Sequence, residues 1–303
     1  MNFEKFKETV LDGIRKKADG MYKIRIKSVT KNNGFKLTGI TAEAEGYSCA
    51  PCVYLDGFYE GYADGRTELP DTVDEIYGLL MKHLEEMRGI DVSGFLEWEN
   101  VKGNIHAKLV NAEKNKELLE NIPHRLFLDM AAVYYVAVAG LAAEGTGTYL
   151  IRNEHMEMWG QNEGNLYMTA ISNMRADGRP CFDSMETVIK SIIPEDACFW
   201  RNMQQPPVVG MYILTNRNKC YGASEILDKS TLRTIADKIG DSFIVLPSSI
   251  HEVIILEPDD TAEYERLADM VKEVNTTQVD ETERLSDHVY VYSRREEVLK
   301  VVA

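Results

Sequence analysis

The sequence predicts an α+β protein: mixed, mostly antiparallel sheets of strand pairs, with helices packed on one face. Two observations carry this. Segments that alternate apolar and polar residues come in pairs separated by short turn signals, and segments with helical apolar spacing fall between the pairs rather than between single strands. A chain of 303 residues with 44% hydrophobic and 27% charged residues is also long and ordinary enough to bury a substantial core.

The elements follow in order. Phe3, Phe6, Val10, Leu11 and Ile14 form one helical stripe over residues 2–17, with Asn2 as a capping residue. Tyr22–Val29 alternates with period two, Asn32-Asn33-Gly34 signals a turn, and Phe35–Ile40 continues the alternation, so a hairpin is expected. Cys52–Leu55 reads as a short strand. A helix opens at Asp71 or Thr72, carries Val73, Ile76, Tyr77, Leu80, Leu84 and Met87, and closes at Gly89.

In the middle of the chain, Ile105–Val110 reads as a strand and Ala112–Asn121 as a charged helix ending before Pro123. Leu126–Val138 reads as one buried strand, with Thr148–Ile151 as its antiparallel partner. Helices are expected at 154–159, 163–172 and 184–193, and a loop at 174–181. Pro206-Pro207 is the best linker signal. Beyond it, Val209–Thr215 and a return strand at Cys220-Tyr221 are expected, then a helix over 230–239. Strands at 243–246 and 252–256 and a helix capped by Asp260 follow, with a last strand at Val289–Tyr292. These divisions suggest regions at 1–122, 123–205 and 206–303, the last two also readable as one continuous domain.

The net charge of −15 disfavours nucleic-acid partners. Lys23, Arg25 and Lys27 share one strand face, which reads either as a solvated face or as a local anion contact. The longest apolar run, Met130–Ala143, is about 14 residues, short of the roughly 20 that span a bilayer. The amphipathic N-terminus lacks a signal-peptide core, and five cysteines do not form a disulfide framework. A cytoplasmic protein without membrane partner is expected.

Four constellations are candidates for chemistry. Cys49-Ala-Pro-Cys52 has redox-dithiol spacing, but it precedes a strand instead of opening a helix, and no second ligand pair completes a metal site. Ser249 and His251, in the turn Pro247–Glu252, lie two apart; the catalytic reading competes with a turn whose Ser hydroxyls satisfy backbone groups. His124 and Arg125 sit where a loop enters an apolar run that holds Asp129, a carboxylate that needs an Arg or His partner. His155, His124 and His251 together would make a three-imidazole site, but no H-E-x-x-H or H-x-H spacing supports one, and no metal is expected. There is no G-x-x-x-x-G-K-[ST], no G-x-G-x-x-G after a strand and no kinase signature, so no cofactor is named.

Several segments also resemble a family of unknown function, DUF5688, found in gram-positive anaerobes. They are Lys31–Gly34, Lys108–Leu119, Ile122–His124, His155–Gly160, Leu214–Asn216, Tyr221–Ala223, Leu246–Val253 and Leu285–Asp287. A fainter likeness, mainly in the second half, is to the family of unknown function DUF1444. The sequence departs from the DUF5688 pattern at Cys49 and Cys52, which weighs further against a redox dithiol. The resemblance implies a cytoplasmic bacterial protein and carries no activity, substrate or cofactor.

Two function classes remain. One is a non-catalytic binding or regulatory module that holds a protein or small-molecule ligand, favoured because catalytic spacings are missing. The other is a hydrolase or transferase assembled around Pro247–Glu252, with His251 as base, Asp129 orienting it, and Ser249 and His124 beside them.

Overall fold

In the computed structural model, which describes residues 1–47, 50–88, 93–139, 146–192, 210–257 and 263–303, helix α1 (Phe3–Ala18) begins as its sequence dictates. The Asn2 side chain accepts a hydrogen bond from the Lys5 amide at 3.0 Å, and Phe6, Val10, Ile14 and Ala18 form its buried stripe. Strands β1 (Lys23–Thr30) and β2 (Lys36–Glu43) pair antiparallel from Lys23↔Glu43 to Thr30↔Lys36. Their connection needs positive φ at Asn33 and Gly34, which is the turn chemistry the sequence announces. Strand β3 (Cys52–Tyr54) adds to β2.

Helix α2 (Asp56–Ala63) is not foreseen by periodicity: none of its residues is buried. Helix α3 (Leu69–Glu86) starts before the expected Asp71, because Pro70 is tolerated in a first turn. It buries Val73, Ile76, Leu80 and Leu84. Gly13 lets α1 and α3 approach closely, since a Cβ there would sit 2.9 Å from a Val73 methyl. A short helix, α4 (Trp98–Val101), follows. Gly89, the expected end of α3, lies outside the described residues.

These elements belong to the first of two compact units, Met1–Val101 with Val138–Gly147; the second is Lys102–Ala137 with Thr148–Ala303. The boundary falls at Val101, ahead of the expected 122, and the regions expected at 123–205 and 206–303 both lie largely in the second unit. Pro206-Pro207 lies outside the described residues.

Two antiparallel sheets lie wholly or largely in the second unit. In the smaller, β4 (Ile105–Asn111) and β5 (His124–Phe127) flank β6 (Met130–Ala139), and β7 (Thr146–Leu150) also pairs with β6. The single strand expected over 126–138 is therefore a hairpin. Leu128 takes φ 58° at its turn, beside Asp129. The helix expected over 112–121 is only α5 (Lys116–Leu119), which buries Leu119.

Helices α6 (Asn153–Trp159) and α7 (Glu163–Ala176) form as expected. The Asn162 side chain caps α7 by accepting from the Asn165 amide at 3.0 Å. Strand β8 (Cys181–Ser184) stands where the expected loop ends, and α8 (Met185–Ile192) follows.

The larger sheet runs β13-β12-β10-β11-β9-β8. Its remaining strands are β9 (Met211–Thr215), β10 (Ser242–Pro247), β11 (Val253–Leu256), β12 (Tyr290–Ser293) and β13 (Val298–Val301). No return strand forms at Cys220-Tyr221. Tyr221 adopts φ 58° and Gly222–Leu227 coil into a buried 3-10 turn, while β9 pairs with β8 and β11. Helix α9 (Lys229–Ile239) buries Leu232, Ile235 and Ala236, and α10 (Tyr264–Thr277) lies against β10 and β11 through Leu267, Ala268 and Val271. The expected cap Asp260 is outside the described residues, and β13 escaped the sequence reading because its residues are largely exposed. No helix among the described residues is long and apolar enough to cross a membrane.

Candidate functional site

The expected site residues occupy separate hydrogen-bond networks. In the turn between β10 and β11, Ser249 Oγ accepts the His251 amide at 3.0 Å and the Ser249 amide donates to the Glu252 carbonyl at 3.2 Å. This is the backbone-satisfying role of a turn serine. His251 Nδ1 accepts the Tyr221 amide at 3.1 Å, so the neutral ring carries its proton on Nε2, which lies 3.4 Å from Glu283 Oε1. The ring stacks on Tyr221 with centroids 5.5 Å apart, and Lys108 Nζ sits 4.4 Å from the Tyr221 centroid. Gly222 is required here, because a Cβ would come within 2.7 Å of the His251 carbonyl oxygen.

Asp129 does not orient His251. Its Oδ2 accepts from Ser286 Oγ at 2.6 Å and lies 3.1 Å from His288 Nδ1, and its Oδ1 accepts from Tyr290 Oη at 2.6 Å. The expected histidine partner exists, but it is His288, 159 residues away in sequence, and the pairing follows from β12 meeting the β5–β6 hairpin. Ser286 is buried and Tyr290 fully so. Burial first, and then the Asp129 charge, push the Tyr290 phenol well above its ordinary range. The cluster ties the two sheets together, as does the bond from Asn111 Nδ2 to the Leu285 carbonyl at 3.1 Å.

His124 Nδ1–H donates to the Ile122 carbonyl at 3.0 Å. Beside it Arg125 grips Glu163 with two hydrogen bonds, of 3.0 and 2.7 Å, and the Tyr134 hydroxyl donates to the same carboxylate. His155 Nδ1 accepts the Arg152 amide at 2.8 Å, and its Nε2 is 2.6 Å from the Tyr149 hydroxyl. The three imidazoles thus have separate partners, and among the described residues no group of three His, Cys, Asp or Glu could hold a metal ion. Cys49 lies outside the described residues; burial pushes the Cys52 thiol up, away from a reactive thiolate.

A different place has the concavity of a site. Within the second unit, the end of α7, the loop through Gly178–Pro180, β8, the 3-10 turn and α9 line a half-open cavity of about 430 Å³. Small-ligand pockets range over about 300–1,000 Å³. Asp228 is the N-cap of α9. It is 3% exposed and accepts two bonds from Arg175, of 3.0 and 2.7 Å, and two from Ser230, of 3.0 and 2.6 Å. Burial opposes its charge, but Arg175 and Ser230 outweigh burial and hold the carboxylate below its ordinary range. Glu225, one helical turn earlier, is 5% exposed and lines the cavity. Burial, followed by the charges of Asp228 and Asp177, pushes it up to about 8. The side chain is therefore largely neutral at pH 7.

A model of the family of unknown function DUF5688 matches residues 3–294, nearly the whole chain. The protein belongs to this family. No curated protein and no solved structure matches it. In this DUF5688 member Glu225, whose carboxyl is pushed up to about 8, lies two residues beyond Tyr221–Ala223, one of the segments that carry the family resemblance. The sequence reading passed over Glu225, Asp228, Arg175, Arg179 and Lys238, because each looks like an ordinary surface charge. One signal was available: Glu225 stands between Ala223 and Ile226-Leu227, an apolar setting in which an unpaired carboxylate is costly. Chemically the cavity offers a neutral carboxyl that both donates and accepts, the hydroxyl-bearing residues Ser230, Thr231 and Thr234, and cationic side chains at its wall.

Proposed function

We propose that the protein is a non-catalytic binding module whose second unit holds a small molecule in the cavity between α7 and α9. The observation that carries this reading is Glu225, a largely buried carboxyl held well above its ordinary pKa on the wall of a cavity of ligand size. Burial of such a group costs stability, and a bound molecule that hydrogen-bonds it offsets that cost. The reading extends to the cytoplasm, where a reducing environment agrees with the free thiols of Cys52, Cys181 and Cys220.

The competing reading, a hydrolase or transferase around Pro247–Glu252, has weaker support. A base needs a ring nitrogen available to substrate, and both His251 nitrogens already have partners in Tyr221 and Glu283. A broad esterase, phosphatase and peptidase screen of wild type against His251→Ala tests it; activity in the wild type alone would favour catalysis.

Native mass spectrometry of protein purified from its own cytosol tests the binding reading. The expected result is a retained small-molecule mass that is lost in Thr234→Trp, where an indole on the exposed wall of α9 fills the cavity. A bare mass in the wild type, or an unchanged adduct in the filled variant, counts against it.

A further inference from the structure

With the cavity taken as a binding site, as above, its charge distribution limits what it can hold. Asp228 is consumed internally: Arg175 and Ser230 saturate its carboxylate. Asp228 also occupies the N-terminus of α9, since the Thr231 and Leu232 amides donate to its carbonyl at 3.0 and 3.2 Å. The ion pair Arg175–Asp228 is neutral as a unit, and Glu225 is largely protonated at pH 7. What remains on the wall is the charge of Arg179 and Lys238. Arg217 adds to it nearby, its guanidinium lying so close over Gly178 that a Cβ there would meet Cζ at 2.8 Å. Three cations against the nearby carboxylate of Asp177 leave the cavity locally cationic in a chain of net charge −15.

The other wall is apolar, with Phe182, Met174 and Ile235. Lys238 Nζ lies 5.2 Å from the Phe182 ring centroid, so cation and ring face the same space. A lining that combines a largely neutral carboxyl with two cations suits an oxyanion: Glu225 can donate its proton in a charge-assisted hydrogen bond. An ionised Glu225, already beside Asp228 and Asp177, would repel the same group.

We propose that the cavity takes a small organic anion, a carboxylate or phosphate monoester on an apolar body, with its oxyanion group held by Arg179, Lys238 and the Glu225 carboxyl and its body against Phe182 and Ile235. Titration calorimetry with benzoate, phenyl phosphate and the neutral control benzyl alcohol tests this. The expected result is one-to-one binding of benzoate, phenyl phosphate or both, at least about tenfold tighter than benzyl alcohol. Arg179→Gln and Lys238→Gln, both exposed positions that leave the fold intact, should each weaken the anion about tenfold. Which of the two anions binds more tightly distinguishes the carboxylate from the phosphate source.

Benzoate affinity should fall about fivefold between pH 8 and pH 9, as Glu225 ionises, and should be flat over that range in Glu225→Gln. The other charged groups at or near the cavity are Arg175, Arg179, Lys238, Arg217, Asp228 and Asp177. The proposal is overturned if benzyl alcohol binds as tightly as the anions, or if neither cation variant weakens them. A neutral probe that binds the wild type and is excluded by Thr234→Trp would leave the binding module standing and sink the anion alone. No binding by any probe, beside a native adduct, would do the same.

Discussion

Glu225→Gln tests the energetics of the cavity without any ligand. The folded carboxyl titrates at about 8 against an ordinary 4.5. An acid whose folded pKa is raised binds its proton more tightly in the native state, so its contribution is fully present below pH 4.5 and is lost as pH rises toward 8. The native state is then destabilised by about 1.4 kcal/mol for each pH unit crossed. Over the whole interval this reaches about 5 kcal/mol in a dry cavity, and about 2–3 kcal/mol if water enters and screens the group. Glutamine matches the neutral acid in shape and does not titrate. Urea unfolding of both proteins from pH 4.5 to 9 therefore yields a stability difference that starts near zero, grows in favour of the variant and levels off above pH 8. A difference that stays constant across this range would refute the assignment of Glu225 as a neutral buried acid.

Other outcomes follow from the same geometry. Asp129→Ala removes the acceptor for Tyr290, Ser286 and His288 and should cost about 2–4 kcal/mol in urea unfolding, because buried hydroxyls lose their partner. Gly222→Ala drives a Cβ against the His251 carbonyl and should cost about 1–3 kcal/mol in the same assay. Asp228→Ala removes both the α9 cap and the partner of Arg175, and should cost about 2 kcal/mol at pH 7. Because the Asp228 pKa is depressed, that cost is present above the ordinary carboxylate range and should vanish as pH falls through the folded value. Thermal melts of wild type and Asp228→Ala should converge toward acid pH.

Strongly periodic segments were legible from sequence. The stripes of α1, α3 and α9 and the Asn33-Gly34 hairpin fold as their spacing demands, because burial of one face decides them. What failed has identifiable causes. Leu126–Val138 reads as one apolar run, yet Leu128 turns into the left-handed region and splits it into β5 and β6, leaving Leu126 exposed. Cys220-Tyr221 has strand-like neighbours, but Gly222 packs so tightly on Thr215, Asn216 and His251 that the chain coils instead. At the site, Asp129 reads as needing an Arg or His partner, but His288 could not be singled out over a separation of 159 residues. Ser249 and His251 were named as a site or a turn, and their bonds are those of the turn. Glu225 escaped because its one local mark, the apolar Ile226-Leu227 beside it, does not reveal the distant segments that cover it.

The most direct measurement is a crystal structure of the wild-type protein soaked with 4-bromobenzoate at pH 7, read through the anomalous signal of bromine. The account predicts a bromine peak in the cavity beside Phe182, with the carboxylate toward Arg179 and Lys238 and within hydrogen-bond distance of Glu225. Bromine density elsewhere with the cavity empty would contradict it, as would a carboxylate turned away from both cations.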